Sequence, residues 1–142
     1  MFKEILLPLD LNDPASQERA VGTAVGLAQT YGSRLHVMTI VPSFGEGFVT
    51  SFFPADYQEK AVAGANERLH AFVRERIPEG VPVQHVVACG TIYEEILAFA
   101  KKHRIDLIVM ASHRPELSDY LLGPNAARVT RHADCSVMVV RG

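Results

Sequence analysis

The sequence has no surplus of positive charge, few cysteines and no long apolar segment. Its 14 lysines and arginines stand against 16 aspartates and glutamates, whereas nucleic-acid-binding proteins usually carry a basic excess. The two cysteines, Cys89 and Cys135, form no CxxC pair and are too few for a disulfide scaffold, so we interpret them as small apolar residues. No apolar run reaches 18 residues, and the N-terminus lacks the shape of a signal peptide. We expect a cytoplasmic protein with no nucleic-acid partner and no membrane partner.

The composition is that of a globular protein. Hydrophobic residues make up 48% of the 142 residues and charged residues 21%, which excludes an intrinsically disordered chain. This length suits one domain with a sizeable core, and we see no linker or low-complexity tract. We therefore predict a single domain over residues 1–142.

Five short apolar runs alternate with segments of helical periodicity. The runs cover residues 5–9, 35–41, 83–88, 107–110 and 136–140. Short apolar runs bounded by turn residues are typical of strands that are buried on both faces of a parallel sheet. The order βαβαβαβαβ predicts an α/β fold, with an open five-stranded parallel sheet and helices on both faces.

The residues that directly follow the strands are the candidates for ligand binding, because open α/β sheets bind ligands at the carboxyl ends of their strands. Asp10 follows the first strand, Gly90 the third, and Ser112, His113 and Arg114 the fourth. Asp10 can accept hydrogen bonds from sugar hydroxyls, and Gly90 would allow a ligand to approach the backbone closely. The helix that starts at Pro124 offers free N–H groups to a phosphate. Together these features favour a nucleotide.

The common phosphate-binding motifs are absent. There is no GxxxxGK[ST] sequence, so no Walker lysine is present, and no GxGxxG follows the first strand. No positioned general base or pair of metal-binding carboxylates is visible either. The sequence therefore favours a nucleotide-binding module over an efficient hydrolase.

Three segments resemble the universal stress protein family, and they cover essentially the whole chain. The segments are the opening ILLPLD of residues 5–10, Gly90 with the following Ile92 and Glu94–Ile96, and the stretch from Asp106 to Val140. The Ser-His-Arg-Pro sequence at 112–115 resembles one bacterial subgroup. The resemblance implies a Rossmann-like sheet of order 3-2-1-4-5 and a stress-response protein that binds ATP, with Mg²⁺ or Mn²⁺. It also implies a homodimer formed by antiparallel pairing of the last strand, Ser136 to Val140, and allows a tetramer.

Carried over position by position, the resemblance implies a complete nucleotide site. Pro8 and Asp10 would lie under the adenosine, with Asp10 on the ribose, and Ile40 would contact the adenine. Residues Met110, Ala111, Ser112, His113 and Arg114 would line the nucleotide, and Gly123, Pro124, Asn125 and Ala126 would face the phosphates.

The phosphate loop departs from the pattern Gly-x2-Gly-x9-Gly-(Ser/Thr) of the ATP-binding relatives. Ala111 and Arg114 replace the first two glycines, only eight residues (115–122) separate Arg114 from Gly123, and Pro124 replaces the closing Ser/Thr. Pro124 removes a hydroxyl and an N–H from the place where phosphates would lie. Arg114 offers a bidentate phosphate donor in exchange.

Two alternatives to an ATP-binding regulatory module stay open. One is a slow ATPase in which His113 or Arg114 acts on the γ-phosphate; the other is an adaptor homodimer that has lost nucleotide binding, with Pro124 as the mark of that loss.

The phenylalanine-rich segment 44–53 is costly to expose to water, so we expect another surface to cover it. A subunit interface and the edge of the nucleotide are both candidates.

Overall fold

The computed structural model describes residues 1–42, 56–112 and 123–141. The phenylalanine-rich segment 44–53 and the predicted ligand residues His113 and Arg114 lie outside these ranges. The strands are β1 Glu4–Pro8, β2 Arg34–Val41, β3 Val83–Cys89, β4 Leu107–Ala111 and β5 Ser136–Val140. The helices are α1 Glu18–Tyr31, preceded by a 3₁₀ turn over Pro14–Gln17, then α2 Tyr57–Arg76, α3 Ile92–Lys102 and α4 Pro124–His132.

The five strands form one parallel sheet in the order β3-β2-β1-β4-β5. Ile5 in the central strand pairs with Leu35 of β2 on one side and with Leu107 of β4 on the other. The predicted fold class and strand order are therefore confirmed. The strand order reverses between β1 and β4, so the ligand-binding crevice of this topology is expected beside the end of β1.

Alternate residues of the central strands pack against different helices, because successive side chains of a strand point to opposite faces. Ile5 and Leu7 belong to a core with α1 and α2, whereas Leu6 belongs to a core with α3 and α4. All three side chains are fully buried. This explains why β1 is a continuous apolar run rather than an alternating one. The helices thus cover both faces, as predicted.

Polar contacts fix the amino ends of the strands. The Asp106 carboxylate, just before β4, accepts hydrogen bonds from the backbone N–H groups of Lys3 (2.8 Å) and Glu4 (3.2 Å). The buried ring of His36 has its nitrogens 2.8 Å from Glu4 Oε2 and 2.6 Å from Gln84 Oε1. His36 of β2 therefore links β1 and β3 through one side chain. This contact lies near the amino ends of the strands, away from their carboxyl ends.

None of the helices in the described part of the chain combines the length and the apolar character that crossing a membrane requires.

Candidate functional site

A cavity of about 400 Å³ opens at the carboxyl ends of β1, β2 and β4. Pro8 and Asp10 reach it from β1, Ile40 from β2, and Met110 and Ala111 from β4. These positions are the strand ends on either side of the reversal in strand order. The cavity therefore lies where this topology places its ligand.

Helix α2 forms a second wall of the cavity. Ala61, Gly64 and Ala65 present a surface with little side chain, and Arg68 follows one turn later. The spacing i, i+3, i+4 and i+7 places all four on one side of the helix. Small residues there leave room for a ligand between α2 and the strand ends.

The Asp10 carboxylate is exposed at the cavity and is held by its own loop. Its Oδ1 accepts a hydrogen bond from the backbone N–H of Asn12 at 3.0 Å. Among the described residues, Oδ2 has no hydrogen-bond partner. A carboxylate oxygen that faces a cavity can accept a hydrogen bond from a ligand hydroxyl.

The amino end of α4 closes the cavity on the side of β4. Pro124 is the first helical residue, and the first N–H bonded within the helix is that of Ala127, to the Gly123 carbonyl (2.9 Å). The N–H groups of Asn125 and Ala126 have no partner inside the helix, as expected at an amino end. Both residues line the cavity, so two backbone donors stand beside it.

Seven of the predicted site residues line the cavity: Pro8, Asp10, Ile40, Met110, Ala111, Asn125 and Ala126. Ser112, Gly123 and Pro124 are adjacent in sequence but are not among its lining residues. The Ser112 N–H instead donates to the Val140 carbonyl at 3.0 Å, at the end of the β4–β5 pairing. The remaining two, His113 and Arg114, fall outside the described residues.

Gly90 follows β3 but is not among the lining residues of this cavity. The close approach of a ligand to its backbone therefore stays a prediction. Its φ of +150° is a conformation that L side chains rarely adopt, and the Glu95 carboxylate lies where a Cβ on this residue would be. The close neighbour of this backbone is therefore a side chain of α3.

The α2 wall is the largest part of the site that could not be predicted from the sequence; Gln17, Thr39 and Ile96 also line the cavity without having been predicted. Ala61 and Ala65 fit the apolar face of a helix together with Leu69 and Phe72, which indicates core packing. In the structure Leu69 and Phe72 are buried, whereas both alanines are half-buried at the cavity. The only signal in the sequence was the small size of the residues at 61, 64 and 65.

The two thiols are not part of the cavity. Both cysteines are free and half-buried. Burial raises the pKa of the Cys135 thiol, and the nearby Asp106 and Asp134 act in the same direction against a backbone hydrogen bond. A thiol kept protonated is a poor nucleophile, in keeping with the interpretation of Cys135 as a structural residue.

Within the described ranges, no group of three or more His, Cys, Asp and Glu side chains is arranged to hold a metal ion.

Known proteins share the sequence pattern and the fold of this chain. A sequence model of the universal stress protein family matches residues 1–141. The chain belongs to the universal stress protein family. This family member is 31% identical over 144 residues to universal stress protein G of Shigella flexneri, a match that covers 99% of this chain and all of that one. The solved structure of universal stress protein UspA from Lactobacillus plantarum is 24% identical and superimposes with a TM-score of 0.72, covering 99% and 98% of the two chains.

Two structural relatives of this universal stress protein are described as nucleotide complexes. One is a universal stress protein in complex with cAMP (21% identity, TM-score 0.64, covering 99% of this chain and 97% of that one). The other is the universal stress protein from Archaeoglobus fulgidus in complex with dAMP (16% identity, TM-score 0.60, covering 97% of both chains). At these identities the likeness establishes the shared fold.

Proposed function

We propose that this universal stress protein binds ATP in the cavity at the carboxyl edge of its sheet and acts as a regulatory module in the stress response. One observation carries the proposal. A single cavity brings together the Asp10 carboxylate, an apolar wall and the N–H groups of Asn125 and Ala126, which have no partner inside their helix. A nucleotide needs these three environments for its ribose, its base and its phosphates. The relatives described with cAMP and dAMP support the choice of an adenine nucleotide.

The adenine base would lie between the strand ends and α2. Ile40, Met110 and Ala65 line this part of the cavity, together with Ile96 of α3. The cavity volume of about 400 Å³ is within the roughly 300–1,000 Å³ range of small-molecule sites. A cavity of this size with an apolar wall suits a ligand that carries a flat heterocycle.

The phosphates would lie toward α4. Two N–H groups with no partner inside the helix, and the positive end of the helix dipole, favour an anion there. Pro124 lowers the number of donors by one, since it has no N–H. By the family resemblance, Ser112, His113, Arg114 and Gly123 would complete the contacts.

A divalent cation would enter with the nucleotide. Mg²⁺ keeps several water ligands and is usually held by substrate phosphates with one or two carboxylates rather than by a cage of protein groups. Asp10 is the one carboxylate among the described lining residues, and its role here is the ribose. We therefore assign Mg²⁺ or Mn²⁺ to the phosphates and not to a site of its own.

We further propose a homodimer that pairs through β5. This strand lies at the edge of the sheet, bonded to β4 on one side. Val137, Val139 and Val140 are half-buried and Met138 is 36% exposed, so the edge is apolar. Apolar edge strands invite pairing with another chain. Sedimentation equilibrium should give the mass of two chains, or of four if dimers associate, and the mass of one chain would contradict the proposal.

The test of ATP binding is calorimetric titration of nucleotide-free protein with MgATP. Wild-type protein should bind about one ATP per chain with micromolar or tighter affinity. D10A should weaken binding about tenfold or more, because a hydrogen bond to a charged group is worth roughly 1.5–3 kcal/mol. D13A is the matched control: Asp13 is exposed in the same loop and does not line the cavity.

No heat and no competition up to millimolar ATP would overturn both the binding proposal and the slow-ATPase alternative. The adaptor homodimer would then be the remaining function. The slow ATPase would instead be favoured if ATP binds saturably, phosphate is released, and H113A or R114A abolishes that release.

A further inference from the structure

Arg68 of α2 ties the helix to the loop that carries Asp10. Its Nη2 donates hydrogen bonds to the Leu11 carbonyl at 3.0 Å and to Asn12 Oδ1 at 3.1 Å. The two acceptors belong to consecutive residues, so one guanidinium nitrogen fixes this point of the loop. Asn12 is exposed and Leu11 is half-buried, so burial contributes little to holding Asn12 in place.

The same loop residue holds the Asp10 side chain. The backbone N–H of Asn12 donates to Asp10 Oδ1 at 3.0 Å. A turn between Asp10 and Asp13 completes the loop, with a 3.2 Å bond from the Asp13 N–H to the Asp10 carbonyl. The contacts therefore run in series from Arg68 to Asn12 and from Asn12 to the Asp10 carboxylate.

This series occupies Asp10 Oδ1 and leaves Oδ2 without a hydrogen-bond partner among the described residues. Arg68 and Asp10 both line the cavity, one on the α2 wall and the other on the strand wall. Since Nη2 of Arg68 is already engaged by two loop acceptors, its contacts point at the loop rather than at a phosphate. A carboxylate held in one orientation binds a hydroxyl better than one that must be ordered on binding.

We infer that Arg68 is a positioning residue, which orients the Asp10 carboxylate toward the ribose hydroxyls and so sets the preference for a ribonucleotide. The inference rests on the proposed function, because it takes the nucleotide site as given. The sugar would then be selected through a contact between α2 and the loop that follows β1.

The experiment compares two ligands that differ only in the sugar hydroxyls. The dissociation constants of MgATP and Mg-2′,3′-dideoxy-ATP are measured for wild type, R68A, D10A and R76A. Both ligands carry the same triphosphate, so the ratio of the two constants cancels any general electrostatic effect of removing an arginine. R76A is the matched control, because Arg76 also ties α2 to another element, through its 2.8 Å ion pair with Glu18 of α1.

Wild type and R76A should favour ATP over the dideoxy analogue by about tenfold or more, as expected for a hydrogen bond to a charged group. D10A should bring the ratio near one, and R68A should lower it at least about threefold. R68K, which keeps the charge, serves as a second variant should R68A fold poorly, and should also lower the ratio.

The failures are distinguishable. If wild type binds neither ligand, the proposed function and this inference fall together. If wild type binds both equally, the nucleotide site stands but the role of Asp10, and with it that of Arg68, is wrong. If R68A weakens both ligands by the same factor and keeps the wild-type ratio, only the inference is overturned, and Arg68 acts on the phosphates or on stability.

Discussion

The Glu95 carboxylate occupies the space in which a side chain on Gly90 would lie. Gly90 stands at the end of β3, has a φ of +150°, and donates its N–H to the Val41 carbonyl at 3.0 Å. Gly90 thus links the ends of β2 and β3 in a backbone conformation that glycine adopts more readily than other residues. Glu95, in the first turn of α3, packs against it.

G90A should destabilise the protein by about 1–3 kcal/mol. The positive φ is strained for alanine, and its Cβ would collide with Glu95. The free energy of unfolding from urea titrations measures the effect. G26A is the control: Gly26 lies inside α1 with nothing near its missing Cβ, so alanine there should stabilise by about 0.5–1 kcal/mol.

The double variant G90A/E95A separates the two causes. Removing the Glu95 side chain relieves the collision but not the strained φ, so most of the loss should persist. Because Glu95 is a flexible side chain, we expect the backbone term to dominate. Full recovery of stability in the double variant would show that the conformation of residue 90 costs little.

Much of this fold could be predicted from the sequence, because its strands are short apolar runs. Ile5, Leu6 and Leu7 are buried whichever face they point to, which is the mark of a central parallel strand. The placement of Asp10 and Met110 at the ends of their strands could be predicted from where these apolar runs end. The roles of Gly90 and Ala65 could not, since each depends on which distant element packs nearby. Small residues are equally compatible with core packing and with a cavity wall.

A65L should block the cavity and weaken ATP binding about tenfold or more. Ala65 lines the cavity opposite the strand ends, and leucine adds three carbons where the base would lie. A63L is the matched control, because Ala63 lies on the same helix but is exposed and is not a cavity residue. Calorimetric titration with MgATP measures both. Equal affinity for the two variants would place the base elsewhere.

Acidification should destabilise the protein partly through His85. Its pKa is lowered, first by burial and then by the positive charges of His70 and Arg74. The His70 and His85 rings lie 3.8 Å apart, between α2 and β3. As the pH falls below about 6.5, the unfolded chain binds a proton at His85 before the folded chain does. By linkage, stability is then lost until the pH reaches the lower pKa of the folded state.

H85Q should therefore show a smaller loss of unfolding free energy between pH 7.5 and pH 5 than wild type. Urea titrations at the two pH values measure the difference. H70Q should also reduce the loss, because it removes one of the charges that lower the pKa of His85. Identical pH dependence of wild type and H85Q would contradict this source of acid sensitivity.

P124S should tighten ATP binding. Serine at the first position of α4 restores an N–H and adds a hydroxyl beside the donors of Asn125 and Ala126. Each new hydrogen bond to a phosphate is worth roughly 1.5–3 kcal/mol, so the dissociation constant should fall about tenfold or more. Adenosine, which has no phosphate, is the control ligand, and its affinity should be the same in both proteins. Unchanged affinity for ATP would mean that the phosphates do not reach the amino end of α4. A gain shared by adenosine would trace the effect to the helix itself, since proline favours this position by pre-setting φ.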